Sequence, residues 1–340
     1  MKALVLGGNG FIGMNVVRAL VQTGHEVTAT RRERSNTLFA RKLGAKLVQA
    51  DLDQDPDLPR LLEGYDVVFD CASHYPRYSL DLAAEVAMAR RRARRIAMAA
   101  RQGGVGRYVL TSSVATVGSP RAGRTLSTEE DAADPRARRS VYHAVKLAVE
   151  EEVLEAAVRG LPAVVLCPTG VVGELDVKAG TGFVMVALAH GRLRFYVEGR
   201  TNIVDADQLA AAHLAAAERG QVGERYIVAG HNTTIGEFLR VIAEHLGVKP
   251  PIRRVPVWLA GPIATLDERR CRARPGRSRR FLAREFVDIV RFGVWVDGAK
   301  ATETLGLQSP LPLFETVRKA CRWYERHRYW KPRGPAADST

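Results

Sequence analysis

Apolar positions along the first half of the chain alternate between short continuous runs and runs with helical spacing. The continuous runs predict strands at residues 2–6, 25–30, 46–49, 66–71, 107–111 and 163–167. Between them, apolar residues recur at helical intervals, as Val16, Val17, Leu20 and Val21 do after the first strand. Strands that alternate with helices pair in parallel, which predicts an α/β fold with a doubly wound parallel sheet. Ligands of such sheets bind beyond the carboxyl ends of the strands.

The regular alternation weakens after about residue 170, where turn-rich stretches at 178–182 and 247–251 separate short helical patterns. We therefore predict a core at 1–170 and a smaller substrate-binding lobe, mainly at 171–330, from which some segments return to the core. Residues 331–340 have no apolar period and are expected to form a flexible tail. The end of the chain has four aromatic residues, Trp323, Tyr324, Tyr329 and Trp330. We interpret them as part of a terminal helix that docks on the body of the protein. A platform on which nucleic-acid bases stack is the less favoured interpretation.

A glycine-rich turn joins the first predicted strand to its helix. Gly7, Gly10 and Gly13 form a G-x-x-G-x-x-G pattern, and Phe11 and Ile12 open the helix. The first glycine permits a tight turn, the second lets a pyrophosphate approach the backbone, and the third lets the helix pack on the strand. Free N–H groups at the helix N-terminus attract phosphate. The pattern therefore predicts a dinucleotide-binding fold of the Rossmann type.

Two arginines at the end of the second strand favour NADPH as the cofactor. Arg31 and Arg32 offer guanidiniums to a 2′-phosphate, whereas an acidic side chain there would bind the ribose hydroxyl of NADH. Glu33 keeps NADH open, and a solvated run of charges is the alternative interpretation. Asp51 and Leu52 follow the third strand and are expected near the adenine.

A tyrosine and a lysine four residues apart carry the candidate catalytic chemistry. Tyr142 and Lys146 share one face of a predicted helix. A phenol is a poor base at neutral pH, but a nearby ammonium favours its phenolate, so we expect Lys146 to lower the pKa of Tyr142. Thr111, Ser112 and Ser113 end the fifth strand, where a hydroxyl can bind a substrate carbonyl.

Composition and charge narrow the class of protein. Of the 340 residues, 46% are hydrophobic, which excludes general disorder. The chain has a formal charge of +14. Much of the positive charge lies in arginine clusters at 90–95 and 269–284. Because no recognition motif accompanies them, nucleic acid is not an expected partner. Within the second cluster, residues 269–280 are interpreted as a solvated loop, with attraction of an anionic substrate or carrier as the alternative.

Membrane spans and metal sites are also not expected. No apolar run reaches the ~18–20 residues that a bilayer crossing needs. The first residues lack the pattern of a secretion signal, so we expect a cytoplasmic location. The four cysteines are far apart and show no pairing motif, which indicates reduced thiols rather than a disulfide framework or a metal centre.

These motifs resemble the extended short-chain dehydrogenase/reductase family, part of the NAD-dependent epimerase/dehydratase superfamily. The resemblance covers roughly residues 1–325 and is carried by residues 7–13, residues 111–118, and Tyr142 with Lys146. Within the family, the chain is most similar to the dihydroflavonol-reductase-like branch, which includes hopanoid-associated sugar epimerase homologues. Residues 223–230 and 300–306 are similar to that branch too.

The resemblance implies functional roles for particular residues. It implies that Ser113, Tyr142 and Lys146 are the catalytic set, with Tyr142 as acid and base. It also implies that Lys146 contacts the cofactor, that Pro168 and Val171 border the nicotinamide, and that the C-terminal half binds substrate. A homodimer formed through two helices of the dinucleotide domain is usual for such proteins and is a further expectation.

Residues after the fourth predicted strand are candidates for the ligand edge of the sheet. Ala72 is expected to contact the cofactor. His74, Tyr75 and Tyr78 are expected to shape a substrate pocket, and simple loop packing is the alternative.

The chain departs from the family pattern at two places. The family's Asn-Val-x-Gly-Thr motif falls on residues 89–93, which read Ala-Arg-Arg-Arg-Ala, so the asparagine that helps to organise the active site is missing. The family's His-Val-Asp-Asp motif appears as Asp205-Ala206-Asp207 after Ile203-Val204. Altered or lost activity therefore stays open.

The sequence as a whole predicts an NADPH-dependent reductase. It would transfer a hydride to a ketone of a small organic substrate, with a secondary metabolite as the favoured class and Tyr142 as the proton donor. One alternative is a nucleotide-sugar epimerase or dehydratase that retains NAD. Another is a sensor that binds the dinucleotide without turnover.

Overall fold

The computed structural model describes residues 1–74, 79–273 and 282–331. The strands are β1 Lys2–Leu6, β2 Glu26–Arg31, β3 Lys46–Gln49, β4 Val67–Asp70, β5 Arg107–Thr111, β6 Ala163–Pro168, β7 Gly170–Val172, β8 Phe195–Val197, β9 Arg200–Asp205, β10 Arg225–Val228, β11 His231–Thr234 and β12 Arg253–Val255. The α-helices are α1 Phe11–Gln22, α2 Leu58–Leu62, α3 Leu82–Gln102, α4 Val141–Val158, α5 Phe183–Ala189, α6 Ala206–Arg219, α7 Ile235–His245, α8 Val257–Ala273, α9 Arg284–Arg291, α10 Ala299–Leu305 and α11 Leu313–Arg326.

Within the described residues, seven parallel strands form the central sheet, in the order β10-β6-β5-β4-β1-β2-β3. The strand order reverses between β1 and β4, and ligands of doubly wound sheets bind at the carboxyl side of such a switch point. The predicted α/β fold with a doubly wound parallel sheet is therefore confirmed. The strand bounds differ from the prediction by a residue or two at some ends, as for β2 and β4.

Helices cover both faces of this sheet. Successive side chains of a strand point to opposite faces, so the apolar residues of β1 contribute to two core layers. Leu4 and Leu6 pack in the core layer beneath α3 and α4. Ala3 and Val5 pack in the opposite layer, beneath α1 and α6. Each layer is a continuous cluster of buried apolar side chains, and their close packing holds the carboxyl edge of the sheet in place.

The second half of the chain adds two small sheets and returns one strand to the core. A three-stranded sheet has the order β11-β9-β7, and β12 pairs with β8. The strand β10 pairs in parallel with β6 at the edge of the main sheet. As predicted, the terminal aromatic residues dock on this half: Trp323 and Tyr324 of α11 and Trp330, which follows the helix, are buried in one core cluster.

The two arginine clusters lie largely in helices. In α3, Arg90 pairs with Glu152 at 3.0 Å and Arg92 pairs with Asp53 at 3.0 Å. The prediction of a solvated loop at 269–280 is wrong at its start, because residues 269–273 end α8. Helical structure persists there because the buried carboxylates of Asp267 and Glu268 accept backbone N–H groups of Leu282 and Arg284, each at 2.9 Å. Residues 274–281 lie outside the described residues.

Across the described ranges, no helix is both long and apolar enough to cross a bilayer.

Candidate active site at the carboxyl edge of the sheet

The glycine turn after β1 folds tightly against its neighbours. Gly7 has a φ of +70°, in the left-handed region that favours glycine, and its carbonyl accepts the N–H of Gly10 at 2.8 Å. The N–H of Gly7 donates to Thr30 Oγ1 at 2.9 Å, which fixes the turn to the end of β2. A Cβ on Gly13 would lie 2.3 Å from the Gly7 carbonyl oxygen, so only glycine allows α1 to approach so closely.

The start of α1 offers backbone donors to a ligand. Gly10 is the N-cap residue and makes no side-chain hydrogen bond to the helix. The first N–H groups of a helix, here those that begin at Phe11 and Ile12, have no partner within the helix and carry a partial positive charge. A pyrophosphate fits this cradle because such N–H groups donate to phosphate oxygens and the partial positive charge attracts the anion.

The strands beside β1 bring further predicted cofactor residues to the same edge. Arg31 ends β2 and donates from Nη1 to the carbonyls of Arg32 at 3.3 Å and Glu33 at 3.1 Å. The side chain of Arg32 is exposed. Since β3 pairs in parallel with β2, Asp51 and Leu52 follow β3 at this edge too, with Asp51 exposed and Leu52 buried.

Three more predicted cofactor residues lie on the other side of the switch point. A Cβ on Gly7 would lie 3.0 Å from the Cα of Ala72, so Ala72 packs directly against the glycine turn. Pro168 ends β6 and is buried. Val171 lies in β7, is 6% exposed and pairs with β9 at Val204. All three follow carboxyl ends of the central strands.

A hydroxyl pair forms where β5 meets α4. A hydrogen bond of 3.2 Å joins Ser113 Oγ to Tyr142 Oη. The neighbouring Ser112 instead donates its hydroxyl to Glu150. Of the two serines, Ser113 is therefore the one that forms a hydrogen bond with Tyr142, whereas the hydroxyl of Ser112 is used in a buried contact with Glu150.

The expectation of a lowered pKa for Tyr142 is wrong, because the net shift has the opposite direction. Burial raises the pKa of Tyr142 above its ordinary value, and the hydrogen bond with Ser113 opposes that shift. Burial lowers the pKa of Lys146 to about 8, and the carboxylates of Asp70 and Glu150 oppose that shift. Desolvation penalises the charged form of each group, so the phenol is neutral at neutral pH, which is the state of a proton donor.

A buried carboxylate lies one helical turn after the lysine. Glu150 is 3% exposed and accepts the hydroxyls of Ser112 and Thr116, the latter at 2.8 Å. Arg225 of β10 pairs with the other oxygen of Glu150 at 3.3 Å. This network ties α4 to the end of β5 and to the strand that returns from the second half, and it stabilises the protonated form of Lys146.

Of the predicted substrate-pocket residues, His74 is described by the structure. Its Nε2 lies 2.5 Å from Oε2 of Glu85, in the first turn of α3, and both side chains are mostly buried. This pair fixes the imidazole between the end of β4 and α3. Tyr75 and Tyr78 lie outside the described residues.

The two departures from the family pattern have structural roles. Ala89, at the position of the missing asparagine, is fully buried in the core beneath α3. The next residue, Arg90, pairs with Glu152 and so fastens α3 to α4. Asp205 caps the N-terminus of α6 and accepts a hydrogen bond from Lys319 at 2.8 Å.

Sequence reasoning missed two residues of this site. Glu150 follows Tyr142 by eight residues, so helical spacing placed it on the same face, and that signal was available. Thr30 gave no such signal, since its contact with Gly7 depends on the parallel register of β1 and β2.

A phosphate-binding turn and a proton-donating hydroxyl pair on one sheet edge are typical of dinucleotide-dependent proteins of the short-chain dehydrogenase/reductase type. The chain belongs to the NAD dependent epimerase/dehydratase family, whose model matches residues 3–229. The predicted resemblance is thereby confirmed. Members of this family are NAD(P)-dependent oxidoreductases and epimerases.

The names of similar proteins include a reductase and an epimerase. A "Putative dihydroflavonol 4-reductase" from Synechocystis sp. is 30% identical over 334 residues, which cover 96% of this chain and 95% of that protein. "Sterol demethylase protein B" from Methylococcus capsulatus is 31% identical over 309 residues, which cover 90% and 93%. The structure of a nucleoside-diphosphate-sugar epimerase from Pseudomonas aeruginosa superposes with a TM-score of 0.81 at 30% identity, covering 97% of this chain and 99% of that one.

Proposed function

We propose that the protein is an NADPH-dependent reductase that converts a ketone of a small organic molecule, such as a secondary metabolite, into an alcohol. The observation that carries this proposal is the 3.2 Å hydrogen bond between Ser113 and the neutral phenol of Tyr142, a side chain that is only partly exposed. A neutral phenol beside a dinucleotide cradle suits proton donation to a carbonyl oxygen. The similarity to a protein named as a dihydroflavonol 4-reductase supports a reductase.

The residues of the sheet edge fit NADPH. The glycine turn and the start of α1 would hold the pyrophosphate, and Lys146 would hold the nicotinamide ribose. The other proposed contacts are Arg31 and Arg32 for the 2′-phosphate, Asp51 and Leu52 for the adenosine, and Ala72, Pro168 and Val171 for the nicotinamide. When bound, the reduced nicotinamide supplies the hydride.

The side chains supply the proton and the charge. Ser113 donates a hydrogen bond to the substrate oxygen and polarises the carbonyl. As the carbonyl carbon is reduced, Tyr142 gives its proton to the oxygen, so the product is a neutral alcohol. The ammonium of Lys146 then stabilises the phenolate that remains. His74, Tyr75 and Tyr78 are proposed as walls of the substrate pocket.

A nucleotide-sugar epimerase with retained NAD is the second candidate. It is favoured by the superposition on a nucleoside-diphosphate-sugar epimerase and by Glu33 beside the two arginines. Purified protein separates the two candidates. A reductase consumes added NADPH when it is given a panel of ketones, whereas an epimerase carries bound NAD and converts nucleotide sugars with no net change in reduced nicotinamide.

Arg32→Ser tests the preference for NADPH. The exposed guanidinium of Arg32 is proposed to bind the 2′-phosphate, so its loss is expected to raise the KM for NADPH about tenfold and to leave the KM for NADH unchanged. Arg34→Ser removes an exposed arginine from the same run and serves as the matched control. An equal change in both KM values, or a wild type that prefers NADH, would contradict the assignment.

The pH profile tests the charge of Lys146. Its pKa of about 8 means that the ammonium is present below that pH and is lost as the pH rises through it. We expect kcat/KM for carbonyl reduction to fall above about pH 8. The raised pKa of Tyr142 keeps the phenol protonated over this range. In Lys146→Arg, whose guanidinium stays charged, the decline should disappear even though the absolute rate is lower. A flat wild-type profile, or the same decline in Lys146→Arg, would contradict this prediction.

A further inference from the structure

The solvent face of α8 is apolar along most of its length. Trp258 is 76% exposed, Leu259 is 41% exposed and Leu266 is 64% exposed. Pro262 lies between them and is also exposed. At 3.6 residues per turn, positions 258, 262 and 266 form one stripe along the helix, so these side chains make a continuous surface rather than isolated exposures.

The opposite face of α8 packs against the body of the protein. Ala260 and Ala264 are fully buried and form a core cluster with Val197 of β8 and Val287 of α9. The helix is therefore held in place by one face, and the exposed stripe is a second apolar face. A contiguous exposed apolar patch of this kind marks an interaction surface.

Basic side chains extend this surface at its end. Arg269, Arg270 and Arg272 follow the apolar stripe along α8 and are exposed. The two carboxylates of the helix, Asp267 and Glu268, face inward and are 8% and 1% exposed. Arg270 pairs with Asp267 at 2.7 Å, which offsets its charge. Arg269 and Arg272 therefore supply the positive charge that the solvent face of α8 presents.

The segment before α8 repeats the combination of apolar and basic residues. Ile252 is 87% exposed, and the next two residues, Arg253 and Arg254 of β12, are exposed as well. We call the solvent face of α8, from Trp258 to Arg272, the α8 surface.

We propose that the α8 surface docks on an anionic lipid bilayer. An interfacial helix buries apolar side chains at the boundary of headgroups and acyl chains, where tryptophan is favoured, while arginines bind lipid phosphates. A cluster of arginines beside exposed apolar residues complements an anionic headgroup layer.

The α8 surface is one helix away from the candidate active site. The helix α8 packs against α9, and Phe292 directly follows α9. The ring of Phe292 lies 5.2 Å from that of His143, whose ring lies 5.6 Å from that of Tyr142. Docking would therefore bring the substrate-binding lobe to the bilayer with the site nearby, although the docking itself does not depend on the proposed reaction.

Sedimentation with vesicles tests the proposal on the full chain. We expect the wild type to bind vesicles of equal parts phosphatidylcholine and phosphatidylglycerol, and to bind phosphatidylcholine vesicles far more weakly. Trp258→Glu should weaken the binding about tenfold or more, because a large apolar side chain is lost from the interface. Arg269→Glu should weaken it about fivefold or more.

Matched controls separate docking from the general positive charge of the chain. Val158 is 89% exposed and Arg159 follows it at the far end of α4. Val158→Glu and Arg159→Glu change the net charge as Trp258→Glu and Arg269→Glu do, and both should bind like the wild type or nearly so. All four substitutions lie on exposed side chains, and equal melting temperatures by circular dichroism check that each variant is folded.

Tryptophan fluorescence adds a readout of orientation. Brominated phosphatidylcholine mixed with phosphatidylglycerol should quench the wild type, and Trp258→Phe should keep binding but lose most of the quenching. The proposal is overturned if the wild type does not bind anionic vesicles, or if each α8 variant binds as tightly as its α4 control. It is also overturned if light scattering shows a dimer that Trp258→Glu dissociates while vesicles bind neither protein.

Discussion

Tyr142→Phe is expected to lower kcat for carbonyl reduction by about 100- to 10,000-fold, the usual contribution of a positioned proton donor. The change removes one oxygen, and with it the group that is 3.2 Å from Ser113 Oγ. Phenylalanine has no hydroxyl, and the C–H groups of its ring are not acidic, so nothing at this position can donate the proton. Steady-state oxidation of NADPH with a ketone that the wild type reduces measures the effect.

The affinity for NADPH separates catalysis from folding in this experiment. The dissociation constant should stay within about twofold of the wild type, because the glycine turn does not include Tyr142. Tyr65→Phe is the matched control, since Tyr65 precedes β4 at the amino edge of the sheet, and its activity should be unchanged. If Tyr142→Phe retained both NADPH binding and biological activity, the protein would be a dinucleotide-binding sensor rather than an enzyme.

The strands of the central sheet were predictable because they are buried on both faces. A strand such as β6, with all of its residues buried, appears in the sequence as a continuous apolar run. The returning strand β10 is also mostly buried, but it follows α6 in the second half of the chain, and no local pattern tells which sheet it will join. Pairing between distant segments is decided by the packing of the whole core.

The residues of the candidate site were predictable by type and position, whereas their protonation was not. Helical spacing placed Tyr142 and Lys146 on one face, and a cation near a phenol suggested a lowered pKa. The opposite shift arises from burial, which depends on every element that packs around the phenol. Local sequence supplies the partners of a titratable group but not its desolvation.

The arginine clusters show a related limit. In the sequence, residues 90–95 and 269–284 differ little from a solvated charge run. In the fold, Arg90 and Arg94 both contact Glu152, and Glu268 holds the start of α9. Their partners are distant in sequence, so charge density alone did not distinguish a structural cluster from an exposed one.

Gly13→Ala is expected to disrupt the cradle for the dinucleotide. The new Cβ would lie 2.3 Å from the carbonyl oxygen of Gly7 and 2.9 Å from the Cα of Gly8. These are backbone atoms, which cannot rotate away, so α1 and the turn must separate. Overpacking of this kind costs about 1–3 kcal/mol of stability. A displacement of the turn misplaces the cofactor, and kcat/KM for NADPH should fall about 100-fold.

A glycine in open space provides the control for this substitution. An ideal Cβ on Gly261, in α8, meets no atom within 4 Å. Gly261→Ala should raise the melting temperature slightly, because alanine favours a helix by up to about 1 kcal/mol relative to glycine, and should leave kcat/KM unchanged. Calorimetry and titration with NADPH would measure both variants. If Gly13→Ala kept the wild-type melting temperature and NADPH affinity, the close contact between α1 and the turn would not shape the cofactor site, and the phosphates would have to bind elsewhere.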